Sequence, residues 1–380
     1  MKKQLLTLFA AALIMLAGSS SLMAQGVTTA SVSGRILDEG QAGLPGVNII
    51  AIHEPSGTKY GASSNANGSF QMRNMKIGGP YSFEASFVGY ANQRVENVFL
   101  KLGESFPLEI DMSISLTELM AIVITDDGSL INSDRTGAQT SVNAEAIRSM
   151  PTISRSQQDI TRLTPQSDGN SFGGRNNLYN NFSLDGSIFN NSFGLDVATP
   201  GGQAGANPVS MDAIEQIQVS LAPFDVRQGG FTGAGINAVT KSGTNEVKGT
   251  IYTFFRNEGM TGSKVDGFDA PNLDYNSNIY GVSVGGPIIK NKLFFFVNAE
   301  GVRKTELAHG FVADNGSNTG LPNTTSVSES DIKAVQDYYR TRWNYDPGAY
   351  QGYTHETYNN KFLAKIDWNI SDKHNLYDAL

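Results

Sequence analysis

Residues Gly229 to Asn245 read GGFTGAGINAVTKSGTN, and this stretch decides the fold of the chain. Its first half is rich in glycine, which permits tight turns and the close approach of one backbone to another. Its second half, Gly235 to Thr240, has the composition of a short strand. The glycines do not follow the G-x-G-x-x-G order and lack the lysine of a P-loop, so we expect no bound nucleotide.

Two further motifs precede this stretch. FSLDGS, from Phe182 to Ser187, predicts a strand, a tight turn at Asp185-Gly186 and a second strand. MDAIEQIQV follows at Met211 to Val219, and APFDVRQ then leads into the glycine-rich stretch at Ala222 to Gln228. An ordinary glycine-rich loop does not account for three motifs in this order. They resemble the plug domain of TonB-dependent outer-membrane transporters, and they are closer to its Oar-like branch than to vitamin or siderophore receptors.

The region that holds these motifs, residues 129–245, is predicted to be an α+β plug domain. Asn143 can cap a helix that runs through Arg148. Ser154 and Gln157 have the spacing of a capping box, which predicts a second helix that ends before Pro165. Polar residues in its loops are candidate ligand contacts at the plug apex, and solvated loop positions are the alternative: Asn176, Asn177, Tyr179, Asn180, Asn190 and Asn191.

Residues 25–113 alternate between polar and apolar side chains, with turn residues between the runs. The pattern predicts a β-sandwich of seven short strands: Ala30–Leu37, Val47–Ile52, Lys59–Ala62, Ser69–Met72, Tyr81–Phe87, Arg94–Val98 and Ser105–Met112. The region also resembles the carboxypeptidase regulatory-like domain, at Gly34, Gly43, Pro45, Gly46, Val47, Asn67, Gly68, Phe70, Tyr81, Gly89 and Tyr90.

This second resemblance implies a transthyretin-like β-sandwich, which is grouped with carbohydrate-binding-like folds but brings no fixed sugar site. Three aromatic residues, Tyr81, Phe83 and Phe87, are expected to pack inward rather than to stack against a ligand. We expect this region to fold by itself and to resist proteolysis.

Residues 114–128 form a linker with a short β-prone run, Ala121, Ile122, Val123, Ile124 and Thr125. In the family that the plug resembles, a segment at this place is the TonB box. Such a segment adds a strand to the energy-coupling protein, which requires backbone hydrogen bonds more than particular side chains. A linker strand, or the last strand of the sandwich, is the alternative, because this run departs from the commoner glutamate-valine-valine-valine form.

Residues 246–380 read as amphipathic strands. Phe362, Ala364, Ile366, Trp368 and Ile370 alternate with Lys361, Leu363, Lys365, Asp367 and Asn369. About ten residues with one apolar face are typical of a membrane β-barrel strand. Further strands are predicted around Val247–Arg256, Tyr280–Val284 and Lys292–Glu300, with loops at Asp266–Asn276 and Ala308–Tyr358 and helical spacing at Ser330–Arg340. Several of these stretches resemble the first barrel strands of the same transporters.

The expected fold is therefore mainly β: a transthyretin-like β-sandwich, an α+β plug domain and the first strands of an incomplete transmembrane β-barrel. Four or five strands cannot close a barrel, since the smallest bacterial barrels use eight and plugged transporters 22. We expect the chain to be the N-terminal part of a transporter. Taken alone, it is expected to form no pore and to aggregate through residues 246–380.

The first 24 residues predict export. Lys2 and Lys3 precede an apolar run at Leu5–Ala17, and a small residue, Ala24, closes the segment. This is the pattern of a cleaved signal peptide, and the run is shorter than the ~20 residues of a spanning helix. The chain has 380 residues, no cysteine and a formal charge of −8, which becomes −10 without the two lysines. The acidic balance argues against a nucleic-acid partner.

Two stretches of the sequence match enzyme motifs only in part. Gly281 to Gly285 matches G-x-S-x-G, but its serine is predicted to lie inside a strand instead of on a strand-to-helix turn. His355-Glu356 is followed by Asn359 where a zinc peptidase requires histidine. We therefore expect no enzyme, no metal site and no cofactor.

The expected function is energy-coupled uptake through the outer membrane of a Gram-negative bacterium. The expected partners are a TonB-type energy-coupling protein, outer-membrane lipid and an unidentified ligand. The alternative is a secreted or surface β-sandwich binding protein without transport activity. Aromatic-rich strands such as Leu293–Val297 distinguish the two, because a soluble binding protein has no use for them.

Overall fold

The computed structural model describes residues 26–114, 120–123, 138–152, 154–191, 199–223, 228–262, 264–265, 268–269, 274–320, 323–371 and 374–379. Internal contacts group them into two compact units. The first contains the described residues up to Pro200 together with Ile214–Lys241 and Asn369–Asn375, and the second contains Gly201–Ala213, Ser242–Trp368 and the last residues. No helix in these described ranges is both long and apolar enough to cross a membrane.

The first unit begins with a two-sheet β-sandwich. Its strands are β1 (Ala30–Leu37), β2 (Asn48–His53), β3 (Thr58–Ser63), β4 (Ser69–Met75), β5 (Gly78–Ser86), β6 (Gln93–Leu100), β7 (Ser105–Asp111) and β8 (Met120–Val123). One sheet has the order β4-β1-β7 and the other β3-β2-β5-β6-β8. Neighbouring strands are antiparallel except β1 with β7 and β6 with β8, which are parallel. Each of the seven predicted strands is present, with ends that differ by up to three residues.

The sandwich core consists of the inward-facing residues of both sheets. Tyr81 and Phe83 are fully buried, which confirms that they pack inward. Burial of such a side chain contributes about 1.5–3 kcal/mol. Phe87 is partly buried and packs against Tyr90, with ring centroids 5.7 Å apart. Gly34 lies where β1 approaches its neighbour β7 closely within one sheet, because a Cβ at this position would collide with the carbonyl oxygen of Leu108.

Most of the predicted plug region follows in the same unit, whereas its residues 201–213 and 242–245 belong to the second unit. The plug region contains β9 (Ala138–Asn143), α1 (Ala144–Ser149), α2 (Gln157–Thr161), β10 (Ser167–Asp168), β11 (Ser171–Phe172), β12 (Asn181–Leu184), β13 (Ser187–Ile188), β14 (Ile214–Leu221) and β15 (Gly235–Thr240). Five of the strands form one sheet in the order β13-β12-β15-β14-β9. The predicted tight turn is confirmed, since Asp185 and Gly186 both have positive φ and join β12 to β13.

The helix caps are confirmed in one case and shifted in the other. The Asn143 side chain accepts a hydrogen bond from the amide of Ala146, as predicted for α1. The cap of α2 is Ser156 rather than Ser154, and its capping box is completed by Asp159. Ser154 contributes from outside the helix, because its amide and hydroxyl both donate to the same Asp159 carboxylate.

The second unit contains long strands in an up-and-down order. Its elements are β16 (Lys248–Asn257), β17 (Lys264–Val265), β18 (Phe268–Asp269), β19 (Tyr275–Ile289), β20 (Leu293–Leu307), β21 (Val312–Asp314), β22 (Thr324–Ser328), α3 (Glu329–Trp343), β23 (Thr354–Ser371) and β24 (His374–Ala379). The main sheet has the order β16-β19-β20-β23-β24. The strands β19 and β23 begin inside the predicted loops, because polar residues continue the backbone ladder on both sides of β20: Asn276 of β19 and Glu356 of β23 both pair with Thr305.

The long strands have one apolar and one mixed face. On β23, Phe362 and Ile366 are 69% and 51% exposed, whereas Lys365 and Asp367 between and beside them are buried. On β20 every second side chain up to Glu300 is buried, and Asn298 and Glu300 belong to this buried face. This is the outward-apolar, inward-polar pattern of membrane β-barrel strands.

Candidate functional site

The segment predicted to engage a coupling partner, Ala121 to Thr125, lies partly in β8. The backbone of Ala121–Val123 pairs in parallel with β6, and Ala121 lies opposite Arg94. Ile124 and Thr125 lie outside the described residues. The described part of the segment is thus the last strand of a sandwich sheet, which is the alternative that the sequence left open. Its role in coupling stays a prediction.

Two of the predicted ligand contacts, Asn177 and Tyr179, lie in one 3-10 turn. Asn176 precedes this turn and caps it, since its side-chain oxygen accepts from the amide of Leu178 at 2.9 Å. Tyr179 is 57% exposed, which leaves its ring accessible to solvent. The exposure suits a ligand contact, which stays a prediction.

Two other candidates have structural roles. Asn180 is buried, and its side chain donates to the carbonyl of Asn170 at 2.7 Å and accepts from the amide of Ala234 at 3.0 Å. Asn190 accepts from the amide of Phe182 at 2.8 Å, so it closes the hairpin of β12 and β13. These bonds explain why asparagine occupies both positions. Ligand contact by either residue, or by Asn191 beside them, stays a prediction.

Two glutamines join the sandwich to the plug sheet. They are not among the site residues predicted from the sequence. Gln216 and Gln218 lie on the same face of β14, and both are buried. The Gln216 oxygen accepts from the amide of Leu102 at 2.7 Å, and its nitrogen donates to the carbonyl of Leu100 at 3.3 Å. The Gln218 nitrogen donates to the carbonyl of Leu102 at 2.8 Å. We call these two side chains and their bonds the glutamine clasp.

The clasp is closely fitted. Gly103, with φ of +68°, lies against Gln218, and a Cβ there would collide with the side-chain amide. The Gln218 amide also bonds to Gln139 and Asn237, so its polar atoms are satisfied inside the protein. Val239 of β15 packs in the same buried apolar cluster as the sandwich core. The sandwich and the plug sheet are therefore one packed body.

In the second unit, a short segment of the plug region is bonded to the polar face of the long strands. The Asp212 carboxylate accepts from the hydroxyl of Ser283 at 2.8 Å and from that of Thr250 at 3.0 Å. The Ser210 hydroxyl donates to the carboxylate of Glu300 at 2.8 Å. Ser283, the serine of the G-x-S-x-G string, therefore lies in the middle of β19 and bonds to a carboxylate.

Glu300 is the centre of this cluster. Its carboxylate accepts from the hydroxyl of Tyr252 at 2.7 Å and forms an ion pair of 2.5 Å with Lys361. Both charged side chains are more than nine-tenths buried. A buried carboxylate is stable only when it is paired and hydrogen-bonded, and these contacts supply both conditions. We call Ser210, Asp212, Tyr252, Glu300 and Lys361 the wall cluster.

Two parts of the chain match known protein families. Residues 31–113 match the family described as carboxypeptidase regulatory-like domain, and residues 239–378 match the outer membrane beta barrel domain. The TonB-dependent transporter Oar of Myxococcus xanthus is 24% identical over 241 residues, which are 60% of this chain and 20% of that protein. The chain thus spans about a fifth of the length of this curated relative.

Similar solved structures include outer-membrane receptors. The ferric enterobactin receptor of Pseudomonas aeruginosa aligns over 64% of this chain and 32% of its own, with 15% identity and a TM-score of 0.43. The ferripyoverdine receptor of the same organism aligns over 68% of this chain and 37% of its own, with 15% identity and a TM-score of 0.34. The Escherichia coli outer membrane transporter YddB aligns over 62% of this chain and 31% of its own, with 14% identity and a TM-score of 0.39.

Proposed function

Because the chain is a homologue of the TonB-dependent transporter Oar and carries a carboxypeptidase regulatory-like domain and an outer membrane beta barrel domain, we propose that it acts in energy-coupled uptake of a ligand. The protein is located in the outer membrane of a Gram-negative cell. Its relatives are transporters and receptors rather than enzymes. The ligand and the coupling step belong to the proposal.

The observation that carries the proposal is the wall cluster. A transporter that is closed at rest requires a plug segment that is held on the polar face of its strands. Asp212 and Ser210 meet this requirement, since they bond to Thr250, Ser283 and Glu300 on neighbouring strands. The opposite face carries exposed apolar residues, which suit lipid. A secreted sandwich that only binds a partner requires neither feature.

We assign the working parts as follows. Residues 25–113 form the regulatory-like sandwich, 114–128 the linker with the coupling segment, 129–245 the plug and 246–380 the barrel strands. A TonB-type protein in the periplasm adds a strand to Ala121–Thr125 and draws energy from the inner membrane. Strand addition requires free backbone groups, and Ala121–Val123 is already extended as a strand.

The test is a proline at the coupling segment. Val123→Pro removes an N–H and restricts the backbone, whereas Val123→Ala leaves both unchanged. Cells with each variant are grown in the same medium, and the compounds that they deplete are measured by mass spectrometry. We expect a class of compounds to be depleted by the unmodified and Val123→Ala cells and spared by Val123→Pro cells. Equal depletion by all three, with equal amounts of protein in the outer membrane, would move the coupling segment elsewhere.

A further inference from the structure

We propose that the sandwich transmits the pull of the coupling partner to the plug, with the partner's strand added to the outer edge of β8 and the glutamine clasp as the attachment to the plug sheet. This inference rests on the proposed function and assigns the route of the force. The alternative route runs along the chain from Val123 through the linker into β9.

The first argument is the position of β8. Within the described residues it is the terminal strand of its sheet, paired with β6 along one edge. The backbone groups of its other edge point away from β6, and a strand edge of this kind accepts an added strand. Addition at this edge keeps every bond between β8 and β6. Displacement of β8 would forfeit those bonds before any bond to the partner forms.

The second argument is that β6 leads directly to the clasp. β6 ends at Leu100, and the turn that follows contains Leu102 and Gly103. The backbone of Leu100 and Leu102 makes three hydrogen bonds with Gln216 and Gln218. Tension on β8 therefore reaches β14 through one strand and one turn, and β14 lies inside the plug sheet, between β15 and β9.

The third argument is the chemistry of the clasp. The two glutamines bond to main-chain groups of the turn, so the attachment depends on the shape of the turn rather than on its side chains. Gly103 fits this purpose, because its φ of +68° and the space beside Gln218 both exclude larger residues. A second main-chain bond, from the amide of Gly26 to the carbonyl of Gly186, joins the start of the sandwich to the plug hairpin.

One experiment tests where the partner binds. The chain has no native cysteine, so Arg94→Cys with Ala121→Cys can form a single disulfide between β6 and β8. Binding of the partner's purified periplasmic domain to the full chain is measured before and after reduction. We expect the same affinity in both states. Binding that appears only after reduction would show that β8 must leave β6, and it would overturn the proposal.

A second experiment tests the route of the force in cells. Ser183, which is buried in β12, is replaced by cysteine, and its reaction with a maleimide is measured with and without a proton uncoupler. The unmodified background should show a rate that rises in energised cells. Gln216→Ala with Gln218→Ala should lose this rise, and Gln71→Ala, an exposed glutamine on β4, should retain it. A flexible glycine-serine insertion after Gly128 slackens the linker, and a variant with this insertion should also retain the faster reaction in energised cells.

The outcomes separate the two routes. The sandwich route would be wrong if the insertion variant lost the faster maleimide reaction in energised cells, or if the double alanine variant retained it. Neither result would contradict energy-coupled uptake. The insertion variant keeps the test decisive even where the alanine substitutions disturb folding, because it leaves the clasp intact. If Ser183→Cys reacts no faster in energised cells, or does so equally in cells without the coupling protein, the proposed function fails and this inference fails with it.

Discussion

His53 makes the stability of the sandwich depend on pH. It is 5% exposed at the end of β2, its Nδ1 lies 2.6 Å from the hydroxyl of Ser56, and its ring packs against Tyr81 with centroids 4.9 Å apart. Burial lowers the pKa of His53 from 6.5 to about 3, and the positive charge of Lys76 lowers it further in a smaller contribution. The ring is therefore neutral in the folded protein at any pH above about 3.

The direction of the pH effect follows from proton uptake on unfolding. Below pH 6.5 the unfolded chain binds a proton at His53 that the folded chain does not bind, so acid favours unfolding. The stability that the neutral His53 gives to the folded state is fully present above pH 6.5 and is lost as the pH falls toward 3. One pKa unit corresponds to 1.36 kcal/mol, so the loss between pH 7.5 and pH 5.0 is about 2 kcal/mol.

The assay is urea unfolding of a fragment that covers residues 25–123, at pH 7.5 and pH 5.0. His53→Gln retains a polar side chain for Ser56 but does not titrate. We expect the unmodified fragment to lose about 2 kcal/mol more than His53→Gln over this interval. The carboxylates titrate equally in both proteins, so they cancel in the comparison. An equal loss in the two fragments would show that His53 is protonated without cost, and the reasoning from its burial would be wrong.

Three other changes follow from particular contacts. Gly34→Ala places a Cβ against the carbonyl of Leu108 and should destabilise the 25–123 fragment by about 1–3 kcal/mol in urea, whereas Gly61→Ala, which has open space, should be nearly neutral. Lys361→Met leaves Glu300 buried without its ion pair and should cost about 3–5 kcal/mol, and Glu300→Gln added to it should recover part of this loss in thermal unfolding of the protein in detergent. Asp212→Ala removes two hydrogen bonds to a charged acceptor, each worth about 1.5–3 kcal/mol, so Ser210 and its neighbours should become accessible to protease; unchanged digestion would contradict the anchoring role.

The elements that sequence predicts well are those with a strong local signal. The strands β1 and β15 are predicted with their observed ends, and the tight turn is predicted at Asp185-Gly186, where both residues have positive φ. Apolar alternation in β23 predicts which side chains are exposed, since Phe362 and Ile366 face outward as expected. In each case a period of two, or a glycine in a turn, fixes the local structure before any distant contact forms.

The glutamine clasp cannot be predicted from local sequence patterns. In EQIQV, Gln216 and Gln218 alternate with apolar residues, and this pattern indicates a strand with one solvated face. The structure buries that face against the turn after β6, more than a hundred residues earlier in the chain. Nothing local in β14 indicates this partner. The shift of the second helix cap from Ser154 to Ser156 has a similar origin, because both serines bond to Asp159 and spacing alone does not rank them.

The clasp and the wall cluster share one physical property that suits a gate. Each joins two parts of the chain through buried polar groups that are satisfied only when the parts are together. A hydrogen bond between such groups contributes about 1 kcal/mol net, or about 1.5–3 kcal/mol where one partner is charged, because water replaces it when the parts separate. An apolar contact of the same extent would resist separation in proportion to its area, and it would expose apolar surface on opening. Polar attachment therefore gives a specific closed position at a moderate energy of release. The clasp adds a packed apolar contact at Val239, whereas the wall cluster bonds hydroxyl groups to the carboxylates of Asp212 and Glu300, so the two attachments need not open under the same load.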